Sequence, residues 1–104
     1  MDIILHPQVR DATVEVYKYK DTLIINGEEF DFSPISNGDN LPSHAIDSEY
    51  FLGNVTRVDG SVILHLFLPI TIDAPVEKCF PTPLLNIQDG HVFTEGANNE
   101  HRLV

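Results

Sequence analysis

Residues 13–32 read TVEVYKYKDTLIINGEEFDF and predict three consecutive β strands joined by tight turns. Apolar residues alternate with polar ones along the segment, which is the period of half-buried strands. Asn26-Gly27 is a strong hairpin signal because both residues tolerate positive φ, and Lys20-Asp21 provides a second short turn. The segment is therefore predicted to form a three-stranded antiparallel meander.

The two turns also predict which side chains lie opposite each other, because a two-residue loop fixes the register of a hairpin. Leu23 should pair with Phe30 across the first turn, and Val16 should pair with Ile25 across the second. One face of the meander then collects apolar side chains and is predicted to be core: Val14, Val16, Leu23, Ile25, Phe30 and Phe32. The opposite face is mixed enough to meet water, as expected of an antiparallel sheet with one buried side.

Residues 54–69 predict a second hairpin, with Asp59-Gly60 at its turn. One face of its second strand must be core: Val62, Leu64, Leu66 and Leu68. The other face carries Ile63, His65 and Phe67, so the strand is apolar on both sides, as in a strand that is covered twice. Two explanations stay open: the domain is a sandwich or barrel, or a partner covers the second face.

The rest of the chain completes a predicted mostly β fold, a small antiparallel β sandwich or partly open barrel built from hairpins. A first strand at residues 2–6 should stop at Pro7, which has no N–H. Residues 43–51 are the one predicted helical segment, and residues 84–94 suggest a last hairpin. We expect a single β domain over residues 1–94 and a polar, flexible tail over 95–104.

Composition and charge exclude several classes of function. The 42% hydrophobic and 21% charged content is that of an ordinary globular protein. Six basic residues against sixteen acidic ones give a formal charge of −10, which repels phosphate backbones and disfavours nucleic acid as a partner. No apolar run approaches the ~20 residues of a membrane helix, and the N-terminus lacks a basic signal-peptide region. A soluble cytoplasmic protein is expected, with no membrane partner.

No residue pattern points to catalysis, to a metal site or to a cofactor. The histidines occur singly, without a metal-binding spacing, at His6, His44, His65, His91 and His101. Cys79 stands alone in a proline-rich stretch, with no neighbour that would activate it as a nucleophile. Neither a Gly-x-Ser-x-Gly elbow nor a glycine-rich phosphate loop occurs. We therefore predict that the protein is not an enzyme and that no residue is catalytic, cofactor-binding or metal-ligating.

Residues 23–69 nevertheless follow a recognisable outline. The run LIINGEEFDFSP leads to Leu41-Pro42, Ala45-Ile46 and Phe51-x-Gly53, and a leucine-rich strand then ends at Pro69. This outline resembles a family of small uncharacterised proteins of tailed bacteriophages and prophages, and the opening IILHPQ is similar as well. The resemblance spans about the first four-fifths of the chain. It implies no activity and no site residues, but it does imply a phage context in a bacterial host, where small acidic β domains more often assemble or bind than catalyse.

Two hypotheses follow. The first is a non-enzymatic phage accessory protein, a protein-binding or virion-assembly module that binds another protein or a second copy of itself. Its candidate interface is Ile63, His65 and Phe67. The alternative is a small-ligand or carbohydrate-binding β module that uses Tyr17, Tyr19 and Tyr50 as stacking platforms.

Overall fold

A computed structural model describes residues 1–96 and folds them into two four-stranded β sheets that pack into a sandwich. The strands are β1 (Asp2–Val9), β2 (Thr13–Tyr19), β3 (Thr22–Ile25), β4 (Glu28–Asp31), β5 (Asn40–Leu41), β6 (Val55–Val58), β7 (Ser61–Ile70) and β8 (Gly90–Gly96). A 3-10 turn at Ser43–Ala45 and the one-turn helix α1 (Val76–Cys79) are the helical pieces of these residues. The mostly β fold is thus confirmed, and the described strands form a sandwich rather than a closed barrel.

The meander sheet, which has the strand order β4-β3-β2-β8, contains the predicted three-stranded meander. Its registers are confirmed, since Leu23 pairs with Phe30 and Val16 pairs with Ile25. The turn between β3 and β4 has φ values of 51° at Asn26 and 84° at Gly27, as a two-residue hairpin of this kind requires. β8 adds to the far side of β2 as the fourth strand.

The leucine sheet, which has the order β1-β7-β6-β5, contains a parallel pair that the sequence pattern does not predict. β1 runs parallel to β7, with Ile4 opposite His65. The prediction that Pro7 ends the first strand is wrong, because β1 continues through Pro7 to Val9. The Ile3 N–H points away from β7 and donates to the Leu84 carbonyl. Pro7 lies four residues further along β1 and faces the same way, so its missing N–H costs no bond to β7.

The β6–β7 hairpin has the predicted register next to its turn and a different one beyond it. Val58 pairs with Ser61 and Thr56 with Ile63. A continuous register would bring Gly53 opposite Leu66, but Phe51 occupies that position instead. The chain therefore bulges between the two paired segments, and the predicted pairing of Asn54 with His65 does not form.

The predicted helix over residues 43–51 is reduced to the 3-10 turn at its start. Phe51 is buried and extended along β7, where its ring packs edge-on against Phe30 at 5.0 Å and Phe32 at 5.6 Å between centroids. A helix of two turns is marginal by itself. The burial of Phe51 therefore decides the local structure.

The predicted hairpin over residues 84–94 is also wrong. Leu84 forms an antiparallel bridge with Ile3, and β8 pairs with β2, so the two halves of the expected hairpin join different sheets. The flexible tail was predicted to start at Glu95, but Glu95 and Gly96 belong to β8. The remainder of that tail, 97–104, lies outside the described residues.

The core lies between the two sheets and follows the predicted faces. Every predicted core residue of the meander is buried except Phe30, which is half-buried, and all four predicted core residues of β7 are buried. At roughly 25 cal/mol per Å² of buried apolar surface, this layer supplies the main favourable term in folding.

Arg57 of β6 joins the two sheets at one end of the sandwich. One terminal nitrogen donates to the Asp21 carboxylate at 3.0 Å and to the Phe32 carbonyl at 3.1 Å, both from the meander-sheet side. The other terminal nitrogen donates to the Gly60 carbonyl at 2.9 Å, and Nε donates to the Ile35 carbonyl. The guanidinium therefore ties the β2–β3 turn, the β6–β7 turn and the chain after β4 to one point.

We expect Arg57→Met to lower the free energy of unfolding by about 2–3 kcal/mol, because it leaves several partly buried acceptors without a donor. Lys78→Met is the control, since it removes an exposed ion pair with Glu95 and should cost less than about 1 kcal/mol. Urea titration followed by circular dichroism measures both. Equal destabilisation by the two variants would show that Arg57 contributes no more than a surface cation.

Candidate functional site

Two histidines that are far apart in the sequence meet on the leucine sheet. The parallel register of β1 and β7 sets Ile4 opposite His65, so the side chain of His6, two residues further along β1, lies next to the His65 ring. His6 Nε2 and His65 Nδ1 are 2.8 Å apart, and the ring centroids are 5.1 Å apart. Gly53 packs against the His65 ring, where a Cβ would lie 3.2 Å from it.

The geometry of this histidine pair opposes protonation of both rings at the same time. Burial lowers the pKa of His65, and the neighbouring His6 lowers that pKa further, because a second positive charge at this distance is unfavourable. A hydrogen bond between two imidazoles also needs one facing nitrogen to lack a proton. The pair is therefore stable when at least one ring is neutral.

The histidine pair lies on the outer side of the leucine sheet, among uncharged side chains that are flanked by Asp2 at one end and by Arg10 at the other. Alternation along the strands turns one set of side chains away from the core, and we call this set the neutral face: Ile4, His6, Leu52, Thr56, Ile63 and His65. Ile4 and Ile63 are half-buried, and Leu52 is 38% exposed. Asp2 lies opposite Ile63 at the border of this face, and its carboxylate accepts a hydrogen bond from the Asn86 N–H.

Of the three predicted interface residues, Ile63 and His65 reach this surface and Phe67 does not. Phe67 is 1% exposed. The Tyr50 ring stacks on it at 6.1 Å between centroids, and the Arg10 guanidinium lies 4.1 Å above its centre. The chain's own side chains thus cover this part of β7. Phe67 is a core residue, and a charge there would unfold the protein rather than separate two copies.

The three tyrosines of the ligand-stacking hypothesis do not converge. Tyr17 and Tyr19 are exposed on the outer side of the meander sheet, where Tyr17 contacts His91 edge-on at 5.2 Å. Tyr50 is half-buried against Phe67, and its hydroxyl accepts a hydrogen bond from Asn26 at 3.1 Å. A ligand that stacks on Tyr17 therefore cannot use Tyr50 as a second platform.

An open groove of about 570 Å³ lies beside β4, which is an edge strand of the meander sheet within the described residues. We call it the β4 groove. Its apolar lining includes Phe30, Ile35, Leu41 and Ile46, and its acidic lining is Glu29, Asp31 and Asp39. The groove is larger than either of the other two described cavities, which measure about 280 Å³ and 270 Å³. Its size and its mixture of apolar and charged groups are typical of a binding site.

A metal-binding cluster does not accompany these surfaces in the described part of the chain. Within residues 1–96, no group of three or more His, Cys, Asp or Glu is arranged to hold a metal ion. Cys79 is half-buried, with its Sγ 3.9 Å from the Ala74 carbonyl oxygen. No helix among these residues has the length and apolarity needed to cross a membrane.

Comparison with known protein families, with curated proteins and with solved structures finds no match to this chain.

Sequence reasoning missed both the histidine pair and the β4 groove. His6 and His65 are 59 positions apart and come together only through a parallel pairing that no turn encodes. The apolar side of the groove comes from Ile35, Leu41 and Ile46, which lie in a segment dense in turn residues. The sequence signal for the groove was the presence of these three apolar residues within an otherwise polar loop.

The lowered pKa of His65 predicts that the folded protein loses stability in mild acid. The unfolded chain takes up a proton as the pH falls through about 6.5, whereas the folded state resists protonation, so the free energy of unfolding falls. We expect His65→Asn, which keeps a hydrogen-bonding side chain beside His6, to reduce the loss between about pH 7.5 and about pH 5.5. Urea titrations across this range measure it.

His44→Asn provides the control, because His44 is exposed on the 3-10 turn and lies outside the pair. It should leave the pH dependence of the wild type unchanged. A His65→Asn profile that is as steep as the wild-type profile would contradict the prediction.

Proposed function

We propose that this chain is a non-enzymatic accessory protein of a bacteriophage or prophage, that it works by binding proteins in a bacterial host, and that the neutral face binds a second copy of the chain. The observation that carries the proposal is that the six side chains of the neutral face are uncharged, with Asp2 as the one carboxylate opposite Ile63 at its border. The phage context rests on the sequence resemblance of residues 23–69, which implies assembly or binding rather than catalysis.

The net charge favours this face over the rest of the surface. A chain with a formal charge of −10 repels its own copies, and contact through an acidic surface opposes carboxylates. Contact through the neutral face avoids that cost. It also removes water from Ile4, Leu52 and Ile63, and it leaves the histidine rings to supply polar contacts.

A second copy is the simplest occupant of such a face. Two-fold dimers are the commonest assemblies of soluble proteins, and they pair the same patch on both subunits. A foreign partner would gain from charges that select it, whereas the only charge next to Ile63 in the described structure is the Asp2 carboxylate, which is hydrogen-bonded to the Asn86 N–H. A small-ligand or carbohydrate module has less support, because Tyr50 is engaged with Phe67 and only Tyr17 and Tyr19 remain exposed.

We expect the unmodified protein to sediment as a dimer at micromolar concentration and Ile63→Lys to sediment as a folded monomer, because the contact would have to remove the lysine charge from water. Ile24→Lys is the matched control. Ile24 is also a half-buried isoleucine on an outer sheet face, but it lies on the meander sheet. That variant should remain dimeric.

Circular dichroism establishes that both variants are folded before the comparison. A monomeric wild type at the same concentration would contradict the dimer. So would dissociation by Ile24→Lys that equals dissociation by Ile63→Lys.

A further inference from the structure

Within residues 1–96, β4 is an edge strand whose outer backbone groups face the β4 groove. It ends the strand order of the meander sheet, so one of its sides has no neighbouring strand among these residues. Ile25 and Glu28 flank the two-residue turn and form a hydrogen-bonded pair, and such pairs alternate with non-hydrogen-bonded ones. The Phe32 N–H donates to the Asp21 carbonyl at 2.9 Å, as this alternation requires. The backbone N–H and C=O groups of Glu29 and Asp31 therefore point to the open side.

The side chains of β4 define what an added strand would present. Phe30 turns inward, where it packs on Phe51, while Glu29 and Asp31 are exposed on the other face. Side chains that lie opposite each other on neighbouring strands share a face. A residue opposite Phe30 would thus enter the apolar groove, and its two neighbours would lie beside the carboxylates.

The negative charge of the groove favours positively charged side chains at those two neighbouring positions of the added strand. Its lining contains three carboxylates and no Lys, Arg or His. Asp31 stays ionised, because the Ser33 backbone N–H at 2.9 Å holds the pKa of its carboxyl below the usual value. Lysine or arginine on the added strand would be attracted, and aspartate or glutamate would be repelled.

The opposite wall of the groove is held in place before any partner arrives. Arg57 bonds the Ile35 and Phe32 carbonyls, and the Gly38 N–H donates to the Arg57 carbonyl at 2.9 Å. The Asn37 side chain accepts from the Gly60 N–H at 2.8 Å. An ordered site loses less conformational entropy on binding than a flexible loop does.

We propose that the β4 groove binds an extended segment of another protein by strand addition to β4, with an apolar residue opposite Phe30 flanked on both sides by lysine or arginine. This site is separate from the neutral face, and it does not depend on self-association. Carboxylates on an edge strand commonly prevent that edge from pairing with copies of itself. Here they oppose a second β4 while leaving the edge open to a cationic strand.

Three synthetic seven-residue peptides test the proposal, and their affinities are measured by titration calorimetry. The first has the sequence Thr-Lys-Val-Lys-Val-Lys-Thr; the second carries glutamate in place of lysine, and the third carries serine in place of valine. The first should bind to the full-length protein, and the other two should bind at least about tenfold more weakly. Hydrogen exchange should then show new protection at the Glu29 and Asp31 amides.

Glu29→Lys and Glu28→Lys provide a matched pair of variants. Both reverse an exposed carboxylate on β4, but only Glu29 lines the groove. Glu29→Lys should weaken binding of the first peptide about three- to tenfold, and Glu28→Lys should weaken it less than about twofold.

Three results would overturn strand addition at this site: no binding of the first peptide at millimolar concentration, equal effects of the two variants, or binding without protection of the Glu29 and Asp31 amides. These outcomes are independent of the sedimentation experiment, because the peptides do not contact the neutral face. A monomeric protein that binds the first peptide would refute the dimer and retain the groove.

Discussion

The arrangement of the sandwich depends on one partly buried cation with four acceptors. Arg57 is only 12% exposed in its side chain, and its four hydrogen bonds reach the β2–β3 turn, the β6–β7 turn and the chain after β4. A partly buried guanidinium donates in fixed directions, so the loops that supply its acceptors cannot move independently without losing hydrogen bonds. The apolar core holds the sheets together, but it is not directional. Arg57 supplies a directional contact at this end of the sandwich. Its bonds to the Phe32 and Ile35 carbonyls also fix two of the residues that line the β4 groove.

The parts of the fold that the sequence predicts are those that a short turn specifies. Asn26-Gly27 and Asp59-Gly60 each fix two strands against each other, because a two-residue loop permits one register. The core faces then follow, because alternation along a strand of known register determines on which face each side chain lies. The prediction for the Asp59-Gly60 hairpin fails beyond Thr56, where a bulge shifts Phe51 into register with Leu66. A bulge depends on packing from elsewhere in the fold, and no local residue pattern announces it.

The parts that could not be predicted depend on pairings between distant segments. Nothing in residues 2–9 specifies β7 as their partner, so the His6–His65 contact was invisible. Asp89-Gly90 has the composition of a hairpin turn, but Leu84 pairs with Ile3 and β8 pairs with β2. The second face of β7 was correctly read as apolar. The chain itself covers only part of that face, because Tyr50 and Arg10 bury Phe67 while Ile63 and His65 stay at the surface.

The long-range closure of both sheets also has a consequence for how the chain is made. During synthesis the β2–β4 meander can form as soon as Asp31 has emerged, because its contacts are local. β1 must wait for β7, whose His65 lies 59 positions after His6, and β2 must wait for the segment around Asp89, which lies 71 positions after Lys18. The entropy cost of closing such long loops comes before the contacts that offset it. A nascent chain therefore carries an unpaired edge on β1 until β7 has left the ribosome, and one on β2 until β8, the last described strand, has followed.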